Sequence, residues 1–246
     1  MTIEKFFREL DGFFGKNEIE EAGVFLEKAL KEARETGDLS LELSVLNEMM
    51  GYYRSTDQKE KGLQSVEDGL ALIQKNGLEA HPGVANMWIN MGTTLCHFER
   101  VEEAEVCYKN AEMFVMQSGA GALQMAGLYN NTAAVYVKTG RFEEAGKRYE
   151  KALECLAQID ENSEFWEDIQ FNRIVTWLNM IVMNCVKQQG AGEENQQLVE
   201  KIKEIMSSED FQNTESFPYA VKKCIHCFEN LQDQQNKEWF EQFTGV

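Results

Sequence analysis

The sequence predicts an all-helical chain assembled from repeated helix pairs. Three observations carry this. Good helix formers dominate, with only 2 prolines in 246 residues. No stretch alternates Val, Ile and Thr in the way a half-buried strand does. One pattern of small and large residues also returns at intervals of forty-odd positions. A chain of this length buries most of its unfolded surface and folds without disulfide or metal staples. Its 6 cysteines are scattered singly apart from one close pair, which suits a reduced, cytoplasmic setting.

The pattern is clearest in the second helix expected of each pair. The segments IEEAGVFLEKAL from Ile19, KEKGLQSVEDGL from Lys59, VEEAEVCYKNAE from Val101 and FEEAGKRYEKAL from Phe142 align on Ala22, Gly62, Ala104 and Ala145, at intervals of 40, 42 and 41. Seven places further on the residue is small again, at Ala29, Gly69, Ala111 and Ala152, with Leu26, Val66, Tyr108 and Tyr149 between. Ala and Gly make up 36 of the 246 residues, so chance does not fill all eight places with them. Helical positions three, four and seven apart share a face. Small side chains there admit a neighbouring helix, and the larger one fills the remaining space.

The partner helix precedes each segment. Its large residue is Leu46, Trp88 or Tyr129, followed by Met50, Gly92 or Ala133 and then Tyr53, Leu95 or Tyr136. Gly140 turns one such helix into the next, and Glu99-Arg100 makes the same turn a repeat earlier. Gly37, Gly77 and Gly119 stop the second helices, where a left-handed residue is wanted. Residues 1–160 are therefore expected to carry four repeats, at about 3–36, 39–77, 81–119 and 122–158. Beyond Asp160 the pattern fades, although apolar stripes persist at Phe171, Ile174, Leu178, Ile181 and Cys185, and at Phe217, Val221, Cys224, Phe228 and Leu231. Gly190-Ala191-Gly192 divides the first of these helices from a more polar one. The expectation for 161–246 is a degenerate fifth repeat and capping helices, continuous with the array, since a terminal repeat has no neighbour to cover its apolar face. Aromatic ends (Phe6, Phe7, Phe13, Phe14; Trp239, Phe240, Phe243) suit a cap or a homodimer contact.

The stretch YNNTAAVYVKTGRFEEAGKRYEKALE from Tyr129 resembles a tetratricopeptide repeat in the order of its large, small and aromatic signature residues. HPGVANMWINMGTTLCHFERVEEAEVCYKNAE from His81 is similar to the longer variant found in kinesin light chains and many bacterial proteins, which also begins His-Pro and carries Asn in its first helix. The likeness is looser over 3–36 and 39–76, where Met50, Gly62 and Gly69 depart from the usual choices. It implies a right-handed superhelical solenoid of antiparallel helix pairs whose first helices line a concave groove.

In such repeats the groove-facing places follow the large first-helix residue. Here they hold Asn47 and Glu48, Ile89 and Asn90, and Asn130 and Asn131; one turn on come Gly51, Thr93 and Ala134. Beyond them stand Arg54 and Ser55, Cys96 and His97, and Val137 and Lys138. An asparagine amide both donates and accepts, so it holds an extended peptide backbone without demanding a side chain, and similar repeats use Asn90 and Asn131 positions in that way. The alternative is that these asparagines cap turns or bond neighbouring repeats. Arg54, His97 and Lys138 would receive an acidic group or a C-terminal carboxylate.

The formal charge is −18, from 24 basic and 42 acidic residues. No basic stripe exists to displace counterions from nucleic-acid phosphates, and anionic membranes repel such a surface. The apolar run Trp177–Val186 is broken by Asn179 and Asn184, far short of a span of ~20 residues. The opening MTIEKFFRELDGFF lacks a signal-peptide core. Cys224-Ile-His-Cys227 has the spacing of half a zinc or redox site without a second pair, and Cys224 falls on an apolar stripe. Gly119-Ala-Gly121 begins like a phosphate loop, but Gln124 replaces the third glycine. Glu102-Glu103 and Glu143-Glu144 are first-turn acids against the helix dipole, and His81 before Pro82 suits a helix start. The expected protein is a non-enzymatic scaffold or adaptor that needs no cofactor and takes a protein or peptide partner. Two alternatives stand. One is a regulator resembling bacterial peptide-pheromone receptors, acting through a separate effector because the repeats begin too early to leave an N-terminal domain. The other is a self-associating structural subunit.

Overall fold

The computed structural model describes residues 1–79, 81, 84–117, 121–187 and 192–244. Among the described residues every regular element is a helix. Contacts divide the chain into two compact units, Met1–Ser118 and Gly119–Val246.

The first unit contains three helix pairs: α1 (Ile3–Gly15) with α2 (Ile19–Thr36), α3 (Leu39–Ser55) with α4 (Lys59–Lys75), and α5 (Ala85–His97) with α6 (Val101–Gln117). Side chains of Thr2 and Asp38 accept the backbone N–H of Lys5 and Leu41, at 3.3 and 3.0 Å, and so fix the starts of α1 and α3. Gly37 ends α2 at φ 68°, as expected of a left-handed C-terminal residue, and Gly77 follows α4 at φ 63°. Gly119, expected to end α6, lies outside the described residues, as do Pro82, Gly190 and Ala191.

The turns inside the pairs share one device. Asn17, Asp57 and Glu99 sit in the left-handed region at φ 59°, 53° and 67°. The next N–H in each case donates to a carbonyl five residues back: Glu18 to Phe13, Gln58 to Tyr53 and Arg100 to Leu95, at 2.9, 2.8 and 2.8 Å. Only Glu99 belongs to a turn read from the sequence, because short polar residues enter this region without the glycine that would advertise it.

The small positions do what their spacing requires. Ala22, Ala29, Ala104 and Ala111 are buried, as are Gly62 and Gly69, and Leu26, Val66 and Tyr108 fill between them. Gly92 lies against the Tyr108 ring, where an added Cβ would stand 2.8 Å from Cε1. First helices also pack on each other, α1 on α3 and α3 on α5.

The second unit opens with the pair α7 (Ala122–Lys138) and α8 (Phe142–Ala157). Gly140 turns them at φ 72°, and Arg141 N–H returns to Tyr136 O at 2.8 Å. Then come α9 (Trp166–Val186), α10 (Gly192–Met206), a single turn α11 (Glu209–Gln212), α12 (Phe217–Asn230) and α13 (Gln234–Glu241). Helix α9 packs against α7, α8, α10 and α12. Ile174, Leu178, Ile181, Ile202, Phe211, Phe217, Cys224, Phe228 and Phe240 form the main core of this unit.

Two findings here depart from the sequence reading. Gln232 takes the left-handed conformation at φ 57°, and Asp233 N–H donates to Phe228 O at 2.9 Å. The last two helices are thus joined by the turn found inside the helix pairs. Cys185 does not complete the apolar stripe of α9. It is exposed in the last turn, where it accepts a hydrogen bond from the Asn195 amide at 3.5 Å.

Candidate first-helix binding face

Residues expected on the groove face fall on α3 and α5 in the first unit and on α7 in the second. Positions spaced by three and four keep them on one side of each helix, opposite the buried Leu46, Met50 and Tyr53 of α3 and the buried Trp88, Gly92 and Leu95 of α5. The structure ties several of them together between α3 and α5. Asn90 Nδ2 donates to Asn47 Oδ1 at 2.8 Å, and Asn47 Nδ2 donates to Glu48 Oε1 at 3.1 Å. Arg54 Nη1 donates to Thr94 Oγ1 at 3.3 Å. The Thr93 hydroxyl donates to Ile89 O at 2.8 Å and accepts from Tyr108 OH at 3.0 Å.

Asn90 therefore bonds a neighbouring first helix, one of the two roles open to it. The bond fixes its orientation and leaves its carbonyl oxygen and one amide hydrogen without a partner among the described residues. His97 is exposed and lies 3.4 Å from Asp57, itself held in the turn after α3. Thr93, read as a space-leaving groove residue, is instead a link between α5 and α6.

On α7 the two asparagines part company. Asn130 is only 5% exposed, and its Nδ2 donates to Thr176 Oγ1 of α9 at 2.8 Å. Its place in the pattern matches Asn47, which bonds Asn90 of α5. That location removes Asn130 from the face a peptide would reach. Its Oδ1 is buried without a partner among the described residues. Asn131, one place on, is half-buried and makes no side-chain hydrogen bond among the described residues. Lys138 is exposed at the end of the same helix and is engaged in an interaction of its own.

Groups that resemble chemistry are accounted for by packing. Cys224 is fully buried on α12 and its thiol is pushed up by desolvation; burial also raises Cys227, to about 11. No three His, Cys, Asp or Glu side chains converge as metal ligands among the described residues. Glu103 receives both Nε and Nη2 of Arg100 at 2.6 Å, and Glu144 receives Arg141 Nε at 3.1 Å. These arginines hold both carboxyls below their ordinary range. The Arg141 guanidinium also lies 4.1 Å from the Tyr136 ring centre. Among the described residues no helix is long and apolar enough to cross a membrane.

Paired helices, a recurrent left-handed turn and small-for-large packing define a tetratricopeptide-type helical repeat fold, of the kind built from kinesin-light-chain-like repeats. No protein-family model matches the sequence, and no curated protein matches it closely enough to count as a relative. Solved structures do match. BtubC (BKLC) from P. vanneervenii is 20% identical with a TM-score of 0.68, over 82% of this chain and 78% of that one. A putative kinesin light chain of Podosopora anserina with nearly identical TPR-like repeats is 15% identical with a TM-score of 0.66, over 86% and 97%. PilF of Pseudomonas aeruginosa gives 13% identity and 0.55, over 96% and 87%. At these identities the likeness establishes the fold.

Proposed function

We propose that the protein is a non-enzymatic scaffold whose first-helix faces hold an extended segment of a partner protein. One observation carries this reading. Asn90 and Asn131 stand in the same phase of the repeat, 41 positions apart, and both are partly exposed with amide capacity left over. An amide fixed by a neighbouring helix is ready to meet a peptide N–H or C=O at little entropic cost. The four-repeat array over 1–160, with a fifth degenerate repeat and terminal helices after it, belongs to the same proposal. So does a cytoplasmic location, which the reduced cysteines favour.

Replacing Asn90 and Asn131 by Leu together removes the amides while keeping a side chain branched at Cγ, so capture of partner proteins from lysate should fall at least several-fold. Replacing exposed Glu20 and Glu60 of the second helices by Gln should leave it unchanged. Equal capture by the asparagine variant and the wild type would sink the reading. Self-association is a second reading, favoured by Phe7 and Phe14 of α1, which remain 37% and 40% exposed. Light scattering at high concentration tests it, and a strict monomer counts against it.

A further inference from the structure

We propose that the cleft between α9 and α10 is a docking site for a proline-rich segment of another protein, held in the extended polyproline II conformation. The second helix of the pair forms one of its walls, so the cleft lies apart from the first-helix face.

Helical spacing builds the other wall. Trp166, Gln170, Arg173 and Trp177 are four, three and four places apart and share one side of α9. Lys201 and Glu204 of α10 face them across a space of about 340 Å³. That is at the small end of the ~300–1,000 Å³ usual for ligand sites. Both indoles are only partly covered. They are nonetheless held, Trp166 edge-on to Phe211 at 6.2 Å and Trp177 beneath the Lys201 ammonium at 5.8 Å.

Gln170 singles this cleft out. It is only 6% exposed and its carbonyl accepts from Arg173 Nη1 at 3.5 Å, yet its amide nitrogen donates to nothing among the described residues. The indole N–H groups of Trp166 and Trp177 are likewise unbonded there, and unlike that of Trp88 they are not sealed from solvent. A largely buried donor without an acceptor is costly, so a ligand that accepts from it is favoured. The wall thus offers three open donor groups and two aromatic surfaces. Its charges cancel. Arg173 is paired to Glu161 at 3.0 Å, Lys201 is offset by Glu204, and both carboxylates stand at the exposed rim. A cationic ligand would meet the two bases and an anionic one the two acids, so an uncharged ligand fits best.

An ordinary extended peptide brings as many N–H donors as carbonyls, and its donors would find few acceptors on this wall. A proline-rich segment brings carbonyls without N–H groups. Its rings also suit an aromatic-lined groove, and its conformation is already ordered, so little entropy is lost on docking. From Trp166 to Trp177 the helix advances about 16 Å, which about five residues of polyproline II span at ~3.1 Å each. Only 2 prolines occur in this chain, so the segment belongs to a partner.

The test titrates the full-length protein, labelled with nitrogen-15 at its indoles, with an acetylated and amidated proline hexamer. A Gly-Ser hexamer with the same ends and tetramethylammonium are the comparison probes. The Nε1–H resonances of Trp166 and Trp177 should shift saturably with the proline peptide while that of buried Trp88 stays still. The Gly-Ser peptide should bind at least several-fold more weakly, and tetramethylammonium should move neither resonance. Q170L removes the amide donor and W177F one indole N–H, the latter read at Trp166. Each should raise the dissociation constant about three- to tenfold, the worth of one hydrogen bond. No shift with the proline peptide, equal binding of the Gly-Ser peptide, or a response to tetramethylammonium instead overturns the proposal. So does unchanged affinity in both variants. If a variant fails to fold, the wild-type comparison of the two peptides decides.

Discussion

The helix pairs α3–α4 and α7–α8 occupy the same step of the repeat and fill it in opposite ways. In α7–α8 the small places are Ala133, Ala145 and Ala152, all fully buried, and the Tyr149 ring closes the gap. In α3–α4 the first-helix place holds Met50, and the facing second-helix place is reduced to Gly69. A Cβ added at Gly69 would stand 2.7 Å from Met87 Cε, 2.9 Å from Met91 Cε and 3.0 Å from Met50 Cε. Three methionines thus occupy what an alanine and an aromatic occupy elsewhere. The two pairs thus close the same seam with different side chains, as a close-packed interior allows when the space is filled.

Substitutions can break this comparison, and the largest effect should come from the aromatic seam. Tyr149→Ala leaves a cavity walled by helix backbone and alanines that cannot move inward, at a cost of about 3–5 kcal/mol. Met50→Ala should cost less, near the low end of the ~2–5 kcal/mol seen for such truncations, because Met87 and Met91 have free torsions with which to refill the space. Urea denaturation of the two variants decides it, and the comparison fails if Met50→Ala is as damaging as Tyr149→Ala.

Overpacking should show the same asymmetry more mildly. Ala152→Leu pushes against a rigid seam and should cost about 1–3 kcal/mol. Gly69→Ala meets only the ends of methionine side chains. It also gains up to ~1 kcal/mol of helix propensity, so its melting temperature should stay close to wild type. A Gly69→Ala variant as unstable as Ala152→Leu would show the methionines to be as fixed as an aromatic ring.

The turns differ as well. Gly140→Ala forces a Cβ into φ 72° and should cost about 1 kcal/mol. Asn17→Gly relieves the equivalent strain at φ 59° and should be neutral or slightly stabilising. Thermal melts of the two variants should therefore move in different directions or by clearly different amounts.

The smallest effect concerns pH. Glu103 and Glu144, paired to Arg100 and Arg141, titrate lower folded than unfolded. Their contribution is complete above the ordinary carboxylate range and disappears as pH falls through the lowered folded values. Melting temperature should be insensitive to this pair near neutrality and should decline on acidification. Glu144→Gln should remove part of that decline, and a variant with an unchanged acid slope would show the arginine contact at the start of α8 to be idle.

Much of the fold was legible because packing writes its periodicity into the sequence. Ala22, Ala104 and Ala145 mark three of the four second-helix seams, while Gly62 marks the methionine-filled one faintly. The turn at Gln232 was not legible, since neither glycine nor the small-residue spacing accompanies it in α13. At the candidate site, phase alone singles out Asn90 and Asn131 as candidates. The burial of Asn130 was hidden because it depends on Thr176 of α9, a residue 46 positions away whose register no repeat signature announces.

Whether a partner lies along the first helices can be read by photo-crosslinking from benzoylphenylalanine placed either at Ser55 of α3 or at Glu60 of α4, both exposed. Ser55 should give a specific protein adduct and Glu60 little or none. Adducts from Glu60 alone, or equally from both, would place the partner elsewhere and overturn the proposed binding face.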